Sequence, residues 1–180
     1  MTAILSYSGD NDTAILNKIW DGLDCRVVVV GKDYVTRKDI DEIISEESDT
    51  LILAGHGSSF GLFGTGDFDE FCIVDQKSVP LIKAKRLICV WCHAAQFGES
   101  QGLKGFFSGM FISNQDEASL YNIVAKDDVI WQLEKNFCNN LNELIRNDVS
   151  MNQWIGILKE HSDHNDPVDI FNMEGLRYFE

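Results

Sequence analysis

Short apolar runs alternate with segments of helical periodicity along the first half of the chain. Residues 3–7, 25–30 and 50–54 have the length and composition of buried strands, and the second run contains four consecutive valines. Strands that alternate with helices predict an α/β fold, here a three-layer sandwich with a mostly parallel sheet covered on both faces. The apolar side chains that recur at helical spacing between the runs are Ile15, Leu16, Ile19, Trp20 and Leu23 after the capping residues Asn11 and Asp12, and Ile40, Ile43 and Ile44 after Thr36 and Asp39.

The rest of the chain divides into an irregular middle and a helical end. Glycines and acids among short aromatic pieces predict a loop or hairpin excursion over residues 58–85. Residues 87–91 predict a fourth strand, and residues 110–113 predict a fifth after a glycine-rich stretch. Two apolar stripes then predict helices, so we expect a single domain over residues 1–180, with an α/β core at 1–125 and a helical cover at 126–180. The stripes consist of Ile130, Leu133, Phe137, Leu141, Leu144 and Ile145, and of Met151, Trp154, Ile155 and Leu158.

The composition argues against several classes of partner. The 180 residues include 29 acids and 15 bases, and the net charge of −14 would repel a nucleic acid or an anionic membrane surface. Five cysteines, an odd number scattered through apolar segments, indicate reduced thiols rather than a disulfide framework. The N-terminus lacks the pattern of a signal peptide, and no apolar run approaches the roughly 20 residues of a membrane helix. We therefore expect a cytoplasmic protein.

Two of the predicted strands end at residues that can carry chemistry. Residues 51–54 lead directly into Gly55-His56-Gly57, and residues 87–91 lead into Cys92. In parallel sheets, ligands bind outside the carboxyl ends of the strands, so both side chains emerge at one edge if the strands are neighbours. A histidine beside a cysteine supplies a base for the thiol proton, and the N–H of a glycine after the histidine is free to stabilise an oxyanion.

At these residues the chain resembles the caspase-like cysteine peptidases, the group of caspases, gingipains, clostripain and CHAT domains. That group has an apolar strand ending in His-Gly, followed later by an apolar strand ending in the catalytic cysteine. The resemblance implies that His56 is the general base or acid, that Cys92 is the nucleophile, and that the N–H groups of Gly57 and Cys92 form the oxyanion hole. It implies no cofactor and no metal. The stretch after the cysteine is similar to that of CHAT domains at Gly102-Leu103, Phe106-Phe107, residues 110–113 and Asp116-Glu117-Ala118.

The chain departs from the family pattern around the cysteine. Caspases have Gln before and Arg-Gly after it, whereas here Trp91 precedes it and His93 and Ala94 follow. Clostripain-type enzymes have an acid two positions before the cysteine, where this chain has Val90. Neither Asp nor Arg/Lys specificity can be transferred, and no third catalytic residue is identified. The acids of the excursion could line a pocket for a basic side chain of the substrate, or they could form a solvated hairpin edge. These acids are Asp67, Asp69, Glu70 and Asp75.

Three other interpretations remain open at this point. The chain could be a catalytically inactive relative that serves as an interaction module in a larger assembly. Cys89 to His93 spells C-x-x-C-H, a haem-attachment pattern, and Cys89 and Cys92 could form a redox pair. His161 with the acids after it forms a loose metal-binding pattern or a solvated helix end. The predicted function is a cysteine endopeptidase that uses a Cys92/His56 dyad on a peptide or protein substrate.

Overall fold

The computed structural model describes all 180 residues and contains nine strands and seven α-helices. Two short 3₁₀ segments, Ile15–Trp20 and Val79–Leu81, complete the secondary structure. The strands are β1 (Thr2–Ser6), β2 (Arg26–Val30), β3 (Thr50–Ala54), β4 (Gly57–Ser58), β5 (Gly61–Phe63), β6 (Cys72–Val74), β7 (Arg86–Val90), β8 (Gly105–Phe107) and β9 (Arg177–Phe179). The helices are α1 (Asn11–Ala14), α2 (Arg37–Ser45), α3 (Ala94–Gln101), α4 (Gln115–Leu120), α5 (Asp127–Arg146), α6 (Met151–Glu160) and α7 (Pro167–Glu174).

The main sheet has six strands in the order β2-β1-β3-β7-β8-β9, which confirms the predicted α/β class with a mostly parallel sheet. The first five strands are parallel, and β9 pairs antiparallel to β8 at one edge. The chain runs outward from β1 in both directions, to β2 on one side and to β3 on the other. The carboxyl ends of β1, β3 and β7 are therefore neighbours, at the position where open α/β sheets bind ligands.

The sheet forms the middle of three layers because alternate side chains of its strands point to opposite faces. On one face, Ile52 and Ile88 pack with the 3₁₀ segment Ile15–Trp20 and with α5 and α6. On the other face, Leu53 and Cys89 pack with α2, α3 and the small sheet β4-β5-β6. Apolar burial on both faces explains the continuous apolar composition of the strands, since each fully buried large aliphatic side chain contributes about 1.5–3 kcal/mol.

The predicted excursion after His56 is a three-stranded antiparallel sheet of β4, β5 and β6. Arg37 at the start of α2 holds the side of this small sheet that lies away from His56. Its guanidinium donates to Glu70, Asp75 and Ser78. The Arg37 side chain is only 13% exposed, so these charge-assisted hydrogen bonds fix the small sheet against α2.

The prediction of a fifth strand at residues 110–113 is wrong, because the strand that follows β7 in the main sheet is β8, at Gly105–Phe107. Gly105 starts β8 with a φ of +143°, and a Cβ there would lie 2.3 Å from the Leu87 carbonyl oxygen, so the close approach to β7 requires glycine. Residues 110–113 instead form a connecting segment. Asn172 of α7 holds it, accepting a hydrogen bond from Ile112 N–H at 2.7 Å and donating one to the Ile112 carbonyl at 3.1 Å.

The C-terminal segment is helical as predicted, with α5 and α6 carrying the two apolar stripes. The sequence patterns missed α7 and β9, so the end of the chain belongs to the sheet as well as to the helical layer. No helix of the structure combines the length and the apolar composition that crossing a membrane requires.

Candidate active site

Loops that follow β1, β3, β7 and β8 converge at one edge of the main sheet and line a small, half-open cavity of about 30 Å³, which we call the inner cavity. Both His56, after β3, and Cys92, after β7, contribute to its wall. The two side chains come together because β3 and β7 are adjacent and parallel, with Ala54 in register with Val90. The inner cavity is lined by Asp12, Thr13, Leu16, Gly55, His56, Val90, Trp91, Cys92, Phe111, Ser113 and Glu134.

The His56 ring is held by Asp10, which follows β1. Its Nε2 lies 3.0 Å from Asp10 Oδ2, which Ser8 Oγ also approaches. The other carboxylate oxygen accepts hydrogen bonds from the N–H and hydroxyl of Thr13, at 2.7 and 2.8 Å, and thereby caps α1. Asp10 is thus fixed by its own turn and orients the imidazole, the arrangement by which an acid supports a catalytic histidine.

Asp10 carries a full negative charge at neutral pH. Burial by itself raises the pKa of this carboxyl, but hydrogen bonds from Ser8, Thr13 and His56 more than offset burial and hold the pKa well below its usual range. The sequence patterns identified no third catalytic residue. A local signal existed, because an aspartate in the turn that follows β1, three residues before Thr13, is a typical helix N-cap. The predicted caps, Asn11 and Asp12, instead lie within α1.

Cys92 lies at a sharp turn between β7 and α3. The next residue, His93, has φ +67° and ψ +22°, a left-handed conformation that is rare for a residue with a side chain. His93 N–H donates to the Gly109 carbonyl at 2.9 Å, which fixes the turn, and the His93 side chain does not line the inner cavity. Strained backbone at a strand end that presents a nucleophilic residue is typical of functional sites.

The thiol of Cys92 is protonated in the free chain. Sγ donates to the Phe111 carbonyl at 3.5 Å. Burial raises the pKa of Cys92 to about 11, and the negative charges of Glu117 and Asp12 act in the same direction. The thiol is therefore not a preformed thiolate, and a nucleophilic role requires a base at the moment of attack.

The two N–H groups expected at the oxyanion hole are both free of strand pairing. Cys92 N–H makes no hydrogen bond within the protein. Phe63 N–H donates to the His56 carbonyl, so Gly57 and Leu62 form a pair that exchanges no ladder hydrogen bonds, and Gly57 N–H points away from β5.

Gly57 also lies directly against the residue before the cysteine. A Cβ at position 57 would sit 2.3 Å from Cδ1 of Trp91, so the indole packs on the glycine backbone. Trp91 is fixed in turn, because its Nε1–H donates to the Ser58 carbonyl at 3.1 Å and its N–H donates to Ser108 Oγ at 3.0 Å. The backbones that follow His56 and precede Cys92 are therefore locked together, although Gly57 itself does not line the inner cavity.

The acids of the excursion do not reach the inner cavity. Asp75 accepts from Arg37 at 3.1 Å and from Lys77 N–H, so its charge is already neutralised within the protein. Asp67 lines a separate cavity beside Lys32 and Tyr34, and Asp69 is exposed on the loop. The structure does not bring Asp67, Asp69 and Asp75 together with His56 and Cys92, because the small sheet carries them away from the strand ends.

A different acid, Glu134 on α5, lies at the inner cavity. Its side chain is buried in a residue only 3% exposed, and its Oε2 has no hydrogen-bond partner. Burial raises the pKa of Glu134 to about 9, and the charges of Asp12, Glu117 and Asp10 add to this effect, so the carboxyl is protonated at neutral pH. A sequence signal existed, since position 134 lies four residues after Ile130 and seven before Leu141 on the apolar stripe of α5.

A second, larger cleft borders the inner cavity and shares Asp12 and Ser113 with it. We call it the outer cleft, and its volume is about 650 Å³. Asp12 Oδ2 accepts from Ser113 Oγ at 3.2 Å and from Asn114 at 2.9 Å, which fixes the rim between the two. The outer cleft is lined by Asn11, Asp12, Ser113, Asn114, Asp127, Asp128, Trp131 and Gln132.

The remaining cysteines lie away from the inner cavity, and all five are free thiols. Cys89 is fully buried and packs with α2 and α3, whereas Cys92 packs on the opposite face of the sheet. Burial raises the pKa of the Cys89 thiol well above its usual range. The C-x-x-C-H sequence therefore has its first sulfur enclosed within a central strand.

No family model, curated protein or solved structure matches the chain. No group of three or more His, Cys, Asp or Glu side chains has the arrangement of a metal site. The fold and the site alone define the class: an α/β protein with a cysteine, a histidine and an aspartate at the carboxyl edge of a parallel sheet. Any assignment of function depends on the chemistry of those three residues.

Proposed function

We propose that the chain is a cysteine endopeptidase of the caspase-like kind, in which Cys92 is the nucleophile and His56 the general base and acid. The observation that supports this proposal best is that His56 and Cys92, at the ends of two adjacent parallel strands, line the same cavity. The free thiols fit a reducing compartment such as the cytoplasm, and the proposed partner is a peptide or protein substrate.

The reaction follows from the roles of these groups. His56 takes the thiol proton of Cys92 while Sγ attacks the scissile carbonyl carbon, and the carbonyl π electrons move onto the oxygen. The N–H groups of Cys92 and Gly57 stabilise this oxyanion. The C–N bond then breaks as His56 returns the proton to the leaving amine. Water, deprotonated by His56, hydrolyses the thioester and regenerates the thiol.

Asp10 restricts His56 to one orientation in this scheme. Because Nε2 faces the Asp10 carboxylate at 3.0 Å, Nδ1 is the nitrogen left to exchange a proton with the thiol and the leaving group. The charge of Asp10 also stabilises the imidazolium that forms during attack.

A second candidate is a catalytically inactive interaction module. The observation that favours it is the state of the thiol, since Cys92 has a pKa raised to about 11 and donates to the Phe111 carbonyl. A thiol in that state has little intrinsic reactivity. In an active enzyme, His56 must therefore remove the thiol proton once the substrate is bound.

Labelling with peptidyl acyloxymethyl ketones of varied sequence separates the two candidates. The peptidase is expected to be modified at Cys92 alone, and His56→Ala and Cys92→Ala are both expected to abolish labelling. Cys25→Ser and His164→Ala serve as matched controls, because Cys25 is a half-buried thiol and His164 an exposed histidine, both away from the inner cavity. Equal labelling of several cysteines, or labelling that survives loss of His56, would rule out the dyad.

A further inference from the structure

The buried carboxyl of Glu134 has no role in the scheme above. Its Oε2 is unpartnered although the residue is only 3% exposed, and buried polar groups without partners are uncommon and costly. The carboxyl lines the inner cavity together with Cys92, so the missing partner has access from the side of the reacting thiol.

The charge around Glu134 has one sign. Asp10, Asp12 and Glu117 are the charged neighbours that act on it electrostatically, and all are acids. Neither lysine nor arginine lines the inner cavity or the outer cleft. His56 is the one basic side chain present, and it is already bonded to Asp10. An additional cation would therefore find several carboxyl groups and no lysine or arginine among the lining residues.

The outer cleft gives such a cation a route of entry. Asp127 and Asp128 lie at its wall beside Trp131, whose side chain is 41% exposed. Lys135 Nζ lies 5.1 Å from its ring centroid, so an entering cation competes with this lysine for the indole. An aliphatic stem that ends in a positive charge has both an aromatic surface and acids along this path.

We propose that the inner cavity and outer cleft together form the specificity pocket, which takes the lysine or arginine side chain of the residue before the scissile bond, with Glu134 as its charge partner. The proposal rests on the proposed peptidase function and names its substrate class. It places recognition on Glu134 and Asp12 rather than on the acids of the β4-β5-β6 sheet.

Binding of a basic side chain is then linked to a proton. In the free chain burial keeps the pKa of Glu134 at about 9, so the group enters binding protonated at pH 7. A cation beside it favours the ionised form, and the proton leaves to solvent. Calorimetry of a lysine-containing peptide binding to Cys92→Ala, in two buffers of different ionisation enthalpy, is expected to show release of about one proton at pH 7.

The decisive kinetic test uses fluorogenic peptides that differ only before the scissile bond: lysine, arginine, glutamine and norleucine. We expect kcat/KM for lysine or arginine to exceed that for norleucine by at least 100-fold. Glu134→Gln is expected to lower kcat/KM for the basic peptides at least tenfold more than it changes the norleucine value. Glu143→Gln, the same change at an exposed position of α5, is the control and should alter neither. Asp12→Asn is a second variant with the same expected direction.

The outcomes distinguish the two proposals. Cleavage with no preference for basic residues, or equal loss on basic and norleucine peptides in Glu134→Gln, would overturn the specificity pocket while leaving the peptidase intact. Absence of cleavage and of Cys92 labelling would overturn the peptidase. In that case, binding of the lysine peptide with proton release would still support a cation site at Glu134, and absence of binding would refute it.

Discussion

The clearest physical consequence of the buried Glu134 is a pH dependence of stability that one substitution should remove. Burial raises the pKa of Glu134 from 4.5 to about 9 in the folded chain, so between these values the folded state retains a proton that the unfolded state has released. A group with a raised pKa contributes its full stability below the unfolded value and loses it as the pH rises through the folded value. Glu134 therefore makes the free energy of unfolding fall from about pH 4.5 to pH 9.

The size of the effect follows from the two pKa values. Each pH unit in this range costs about 1.4 kcal/mol, so at pH 7 the buried acid costs roughly 3 kcal/mol relative to pH 4.5. Glu134→Gln keeps the shape of the neutral side chain but cannot ionise in the unfolded state. The amide adds one unpartnered donor, which costs about 1 kcal/mol or more. The variant is expected to be more stable than the parent by about 2 kcal/mol at pH 7, with no advantage at pH 5.

Urea unfolding followed by tryptophan fluorescence, at pH 5, 6, 7 and 8, measures this difference. Trp91 and Trp154 are buried and report loss of the packed core. Taking the difference between variant and parent cancels the titration of the groups that do not interact with Glu134, and Glu143→Gln should follow the parent at every pH. If the free-energy difference between the Glu134→Gln variant and the parent is the same at pH 5 and pH 8, then Glu134 titrates alike in both states and the argument from burial fails.

Three further predictions concern residues at and beside the candidate active site. Because the pKa of Cys92 is about 11 against an ordinary 9.0, iodoacetamide should alkylate it at pH 7.5 at least about 100-fold more slowly than a cysteine peptide, measured by mass spectrometry; equal rates would contradict the raised pKa. Asp10→Asn retains a good N-cap residue but removes the charge behind His56, so kcat should fall on the order of 100-fold; a change in KM alone would refute the orienting role. The free energy of unfolding at pH 7 should fall as well, because the hydrogen bonds that hold the pKa of Asp10 low also stabilise the folded state. Gly57→Ala forces a methyl group into Trp91 and should lower the free energy of unfolding by about 1–3 kcal/mol in urea titrations, whereas an unchanged midpoint would show that the indole moves aside.

The parts of this structure that depend on local sequence pattern could be predicted from the sequence. Residues 50–54 and 87–91 were identifiable as buried strands because apolar composition alone marks strands covered on both faces. The placement of His56 and Cys92 at one edge then followed from the direction of parallel strands. The fifth strand was misplaced because β8 has three residues and begins at a glycine, so its apolar run is short and its boundary is set by the contact of Gly105 with Leu87.

The parts that the sequence did not supply depend on contacts between distant segments. Asp10 and His56 are 46 residues apart, and their pairing exists only because β1 and β3 are adjacent in the sheet. Arg37 forms an ion pair with Asp75 through a similar long-range contact, so Asp75 is not free to bind a substrate side chain. Glu134 differs from these, because an acid on the apolar stripe of a long helix is visible in the sequence itself.

The acids around Cys92 bear on both candidate functions, and they do so in opposite ways. In the free chain, Glu117 and Asp12 help burial to raise the pKa of the thiol, which opposes nucleophilic chemistry. Under the proposed specificity, a basic side chain brings a positive charge into that same group of acids, weakens their negative potential at Sγ and so favours the thiolate. The same acids that keep the thiol unreactive in the free chain then make its reactivity depend on the binding of a basic substrate. For an inactive module no such cation arrives, and the same acids keep the thiol neutral.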